Sequence, residues 1–169
     1  MGSADTSQGL VRRLDPASLT LLVEERKGEL YHLPPELADL ASLHALWGYL
    51  GGYASYVGMR FAGGLRRGLK LPSADEAGEA VGNAISAKVA GLRGSLAERR
   101  VLSEEELAQE AGELEGVLSA IRADPIDEAA RRRSREALRD ALKEKGATRR
   151  QATEIADEVD RTVFGDSLS

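Results

Sequence analysis

Five places in this chain carry the residue pattern that starts an α-helix, and five such signals in phase with the apolar spacing are strong evidence for a helical chain. Asp15-Pro16 and Asp124-Pro125 each pair an N-cap acid with proline at the first helical position, where a missing N–H is tolerated. Ser73-Ala74-Asp75-Glu76, Ser103-Glu104-Glu105-Glu106 and Thr148-Arg149-Arg150-Gln151 match the capping box. In that motif a hydroxyl accepts from the third helical N–H while the acid or amide reaches back to the cap. Stop signals answer these starts: Arg26-Lys27-Gly28 is a basic last turn with a glycine, and Gly146 and Gly165 stand where C-terminal glycines belong. Pro34-Pro35 and Pro72 interrupt the front half, since proline lacks the donor that continues a helix.

Apolar residues recur at steps of three and four between these signals. Leu107, Ala111, Leu114, Leu118 and Ile121 form one stripe. Val81, Ile85, Val89, Leu92 and Leu96 form a second, and Ala152, Ile155, Ala156, Val159 and Val163 a third. The pattern predicts helices over 16–27, 36–69, 74–97, 104–122, 126–145 and 149–163. The expected fold is all-α, a helical bundle of about six helices ending in an antiparallel hairpin about Gly146-Ala147. A competing reading makes Leu19–Val23 and Leu30–Leu33 a β-hairpin about Lys27-Gly28. Residues 1–14 read as a flexible tail, 15–71 as an N-terminal helical region and 73–169 as a C-terminal one, which together can form one continuous bundle.

Composition narrows the function classes. The chain has 169 residues and no cysteine, which excludes disulfides, thiolate zinc sites and a cysteine nucleophile. His32 and His44 are the two histidines. Glu29-Leu30-Tyr31-His32 has the Glu-x-x-His spacing of di-iron bundles, but His44 is preceded three residues earlier by Ala41, so the motif is not repeated. No phosphate-binding glycine loop or nucleophile elbow occurs. Glu104–Glu106, Glu110 and Glu113 read as a solvated helix face. The sequence therefore assigns no catalytic, metal or cofactor-binding residue, and the expectation is a non-enzymatic protein. Met1–Arg13 lacks the apolar core of a secretory signal, and the uncharged stretch Ala45–Met59 is too short to span a bilayer, so a cytoplasmic location is expected.

Residues 40–65 hold five of the seven aromatic side chains, Trp47, Tyr49, Tyr53, Tyr56 and Phe61, interleaved with glycines. An interior glycine costs a helix about 0.5–1 kcal/mol relative to alanine, so this density needs a compensating contact. Ala41, Ala45, Gly48, Gly52, Ser55, Met59 and Ala62 make a largely small face, and Gly51, Ser55, Gly58 and Ala62 an adjoining one; such faces allow close approach of another helix. Three readings compete: packing inside the core, docking of a second copy or of another helical protein, and membrane-surface binding with Arg60, Arg66, Arg67 and Lys70 facing headgroups. A ligand pocket lined by Trp47 and the tyrosines is a further alternative. For the docking reading the interface comprises Trp47, Gly48, Tyr49, Gly51, Gly52, Tyr53, Ser55, Tyr56, Gly58, Phe61 and Ala62, and Gly52→Leu is expected to break association while sparing helicity.

Charge is segregated along the second half. Residues 103–128 carry nine acids against Arg122, whereas 131–150 carry nine bases against Glu136, Asp140 and Glu144. Arg132, Arg135, Arg139 and Lys143 lie away from an expected apolar stripe of Ile126, Ala130, Ala137 and Ala141. Together Arg131, Arg132, Arg133, Arg135, Arg139, Arg149 and Arg150 could track nucleic-acid phosphates. The alternative is internal pairing: Glu128–Arg132, Arg132–Glu136 and Asp140–Lys143 along one helix, and the acidic helix 104–122 against the basic one. Because the whole chain carries a net charge of −5, pairing is favoured.

Overall fold

The computed structural model describes residues 14–23, 33–57, 77–122 and 125–165. These form six α-helices and one 3₁₀ turn: α1 (Pro16–Val23), the turn Pro35–Leu37, α2 (Ala38–Val57), α3 (Ala77–Ala97), α4 (Glu104–Arg122), α5 (Glu128–Glu144) and α6 (Arg149–Phe164). The fold is an all-helical bundle without strands among the described residues. α1 occupies the stretch that the competing reading made the first strand of a hairpin. The Ser73–Glu76 capping box, Gly28 and the Glu29–His32 spacing lie outside the described residues.

Local signals set most of the helix starts. Ser103 Oγ accepts from the Glu106 N–H at 3.1 Å while Glu106 Oε1 accepts from the Ser103 N–H at 3.0 Å. That N–H, with Arg100, holds the Glu106 carboxyl below its ordinary pKa. Thr148 and Gln151 close the same box at α6. α5 begins later than Asp124-Pro125 suggested. Asp127 is its cap, accepting from the Ala130 N–H at 3.0 Å, and the Asp127 N–H donates to the Tyr53 hydroxyl at 3.0 Å. A tertiary hydrogen bond thus fixes where the helix starts. Gly146 turns the chain between α5 and α6 at φ 106°, a backbone region that L side chains avoid.

α2 is the axis of the bundle and packs against each of the other five helices. One apolar core runs from Leu14 to Phe164, with Leu43, Leu46, Trp47, Leu50, Leu114 and Val159 fully enclosed. Thus Leu14, expected at the end of a tail, belongs to the core. All five residues of the Leu107–Ile121 stripe are buried, as are all five of the Ala152–Val163 stripe. Two C-terminal helix ends are held by cations from elsewhere. Lys145 Nζ donates to the Leu22 carbonyl of α1 at 2.8 Å, and Arg122 Nη2 to the Val163 carbonyl of α6 at 2.7 Å.

Neighbouring glycines on α2 serve different crossings. A Cβ at Gly51 would lie 3.2 Å from Ile85 Cγ2 of α3, and one at Gly52 3.0 Å from Ser134 Oγ of α5. Successive residues on a helix point about 100° apart, so this pair lets two helices approach α2 on two sides. The inward face of α5 differs from the expected stripe. Ala130, Arg131, Ser134 and Leu142 are buried, while Ala137 and Ala141 are exposed. The face has rotated because Ser134 meets Gly52 and because Arg131 has a partner inside the core.

Candidate docking groove on the central helix

The partner of Arg131 is Asp160 of α6. Arg131 Nε lies 3.0 and 3.1 Å from the two Asp160 oxygens, and Nη2 lies 2.8 Å from Oδ2. The Tyr49 hydroxyl donates to Asp160 Oδ1 at 2.6 Å. Both charged side chains are only 2% exposed. The Phe164 ring lies 4.8 Å from the guanidinium carbon and meets Tyr53 edge-on, with centroids 4.9 Å apart. Burial disfavours the charged form of Arg131, but the hydrogen bonds and charge of Asp160 outweigh it and hold the guanidinium protonated. For Tyr49, burial, the hydrogen bond to Asp160 and that residue's charge all push the phenol well above its ordinary pKa. This cluster locks α2, α5 and α6 together. Its one sequence trace was an acid at position 160 between Ala156 and Val163 of an apolar stripe.

Arg131, expected on a surface stripe, is therefore a core residue paired inside the bundle. Arg135 is half-buried against Asp157 and Asp160, at 3.9 and 3.7 Å, and Arg150 pairs with Glu154 at 3.2 Å. Arg132, Arg133 and Arg149 are exposed and Arg139 is half-buried; none of them forms an ion pair among the described residues. Of the expected helix pairs, Asp140–Lys143 forms at 3.6 Å, whereas Glu128 lies nearest Arg131, at 4.0 Å. The acids of α4 turn to α3 instead: Lys88 Nζ sits 3.0 Å from Glu110 and 3.2 Å from Glu113. Burial acts to lower the Lys88 pKa, but those two carboxylates outweigh it and raise it. The adjacent cleft of about 470 Å³ beside Lys88 and Arg100 is thus internally neutralised, with Arg100 held by Glu106 at 2.7 Å.

The glycine- and aromatic-rich segment divides the same way. Trp47, Tyr49 and Tyr53 are buried in the chain's own core, and Gly51 and Gly52 are used at helix crossings. Gly48, Ser55 and Tyr56 face outward, whereas Gly58, Phe61, Ala62, Arg60, Arg66, Arg67 and Lys70 lie outside the described residues. Among the described residues, α2 is open at a groove of about 260 Å³ between α1 and α5. Its floor is Ala45, Gly48 and Gly52, and its walls are Leu22 on one side and Ala137 and Leu138 on the other. A Cβ at Gly48 would meet nothing within 4 Å. Tyr56 stands at the rim, 41% exposed, with Arg133 5.8 Å from its ring centroid; His44 is a buried wall residue.

Among the described residues no cluster of three or more His, Asp or Glu side chains is placed to hold a metal ion, and no helix is long and apolar enough to cross a membrane. These features define a helical bundle whose central helix is enclosed on most sides and grooved on one. No protein-family model matches the chain, and neither does any curated protein or any solved structure.

Proposed function

We propose that this is a non-enzymatic helical interaction protein that self-associates or docks a partner through the exposed part of α2. The observation that supports the reading is the open small-residue groove at Ala45, Gly48 and Gly52 with an exposed tyrosine at its rim. Glycine at an exposed interior helix position weakens the helix, and among the described residues nothing packs against Gly48, so an external contact would account for it. The contact surface is smaller than the sequence suggested. It comprises Gly48, Tyr56 and Gly52 together with Leu22, Ala137 and Leu138, with Tyr49 reaching the groove only at its buried base and Trp47 and Tyr53 outside it. A nucleic-acid interface is less well supported, because Arg131, Arg135 and Arg150 are engaged by carboxylates.

Gly48→Leu is the variant that tests the reading. Gly52→Leu would drive its side chain into Ser134 and confound association with folding, whereas Gly48 has open space beside it. With helical content unchanged, Gly48→Leu should abolish a self-association or partner contact that the wild-type chain makes. An association that persists unaltered would refute the reading.

A further inference from the structure

Two large apolar side chains are exposed among the described residues, and they stand on different parts of the molecule: Tyr56 at the groove rim and Val101, 55% exposed, at the corner between α3 and α4. The corner is a built feature. α3 ends at Ala97, and Arg99 turns the chain at φ 56°, a region non-glycine residues seldom enter. The Arg99 and Arg100 N–H groups bond back to the Leu96 and Ser95 carbonyls at 3.0 Å. The Ser103–Glu106 capping box and the Arg100–Glu106 pair close the other side. Leu102 packs inward, so the turn presents Val101 outward as a fixed knob rather than a loose tip. Beside it on the first turn of α4, Glu105 is exposed and forms no ion pair among the described residues.

Arg133 at the groove rim is the complementary group: an exposed guanidinium over Tyr56 with no carboxylate partner among the described residues. Building on the proposed docking role of α2, we infer that the groove receives the α3–α4 corner of a second copy of this chain. Val101 enters the apolar groove over Gly48, and Glu105 pairs with Arg133. Knob and groove are different surfaces of the same protein, so the contact is head-to-tail and generates rings or open chains rather than an isologous dimer. A contact of this size is weak and concentration-dependent, and Glu105–Arg133 sets its register more than its strength.

The test is the mass of the full-length chain by light scattering from micromolar to millimolar concentration, with the helical circular dichroism signal confirming that each variant is folded. The weight-average mass should rise with concentration. Val101→Asp, Glu105→Arg and Arg133→Glu should each remove the rise, and Glu105→Arg combined with Arg133→Glu should restore it. A rise that Gly48→Leu removes but Val101→Asp and Glu105→Arg leave intact would overturn this inference and keep the groove as the docking site. A rise indifferent to Gly48→Leu as well would overturn both. A monomer at every concentration would overturn the second copy as occupant.

Discussion

Asp160→Asn removes the charge that Arg131 is buried against, and the cost follows from the geometry. The guanidinium is 2% exposed, donates from two nitrogens to the carboxylate, and has Glu128 no nearer than 4.0 Å as its other anion. Breaking one side of a buried pair costs about 3–5 kcal/mol, a large share of the roughly 5–15 kcal/mol that holds a domain folded. For a chain of this length that corresponds to a midpoint roughly 6–20 °C lower. Arg131→Met should cost less, because Asp160 keeps the Tyr49 hydroxyl at 2.6 Å and Arg135 at 3.7 Å. Arg131→Met with Asp160→Leu should cost less than Asp160→Asn alone, since an apolar replacement leaves neither charge stranded. Urea unfolding of the four proteins, followed by circular dichroism, measures all three differences. A loss under about 1 kcal/mol for Asp160→Asn would show that the pair is not held as a buried one, because that is the range of a solvated surface pair.

Further outcomes follow from individual contacts. The Tyr49 phenol is raised in the folded protein, so above the ordinary tyrosine pKa of about 10 the unfolded chain loses its proton first. The stability it contributes is present below that pH and is lost as pH rises towards the folded value; Tyr49→Phe should flatten this alkaline decline in thermal unfolding scans. Gly48→Ala should stabilise α2 by about 0.5–1 kcal/mol, having open space, whereas Gly52→Ala should gain nothing or destabilise, with Ser134 Oγ 3.0 Å from the new Cβ. Gly146→Ala should cost about 1–2 kcal/mol in the same unfolding assay, since its φ is 106°.

The parts of the fold written in contiguous residues are legible in the sequence alone. The Ser103–Glu106 and Thr148–Gln151 boxes, the Leu107–Ile121 stripe and the glycine turn at 146 each depend on neighbours within one or two helical turns. What escaped depends on residues far apart in the chain. Arg131 reads as one of three consecutive surface arginines until Asp160, 29 positions on, is seen to bury it. Asp127 rather than Asp124 caps α5 because Tyr53, 74 positions earlier, bonds its N–H. The glycines of α2 were recognisable as close-approach positions, but composition does not distinguish a crossing inside the core from a surface that receives something else. Gly51 and Gly52 stand at crossings inside the bundle, whereas a Cβ at Gly48 would meet nothing within 4 Å among the described residues.

Self-association through α2 is read residue by residue in a dilution series of amide resonances on the full-length chain, with Gly48, Gly52 and Leu138 set against buried reference positions such as Leu114. Docking through the groove should give concentration-dependent shifts at the groove residues that vanish in Gly48→Leu, with the reference amides unmoved. Shifts confined to other surfaces, or groove amides unchanged up to the solubility limit, would contradict self-association through the central helix.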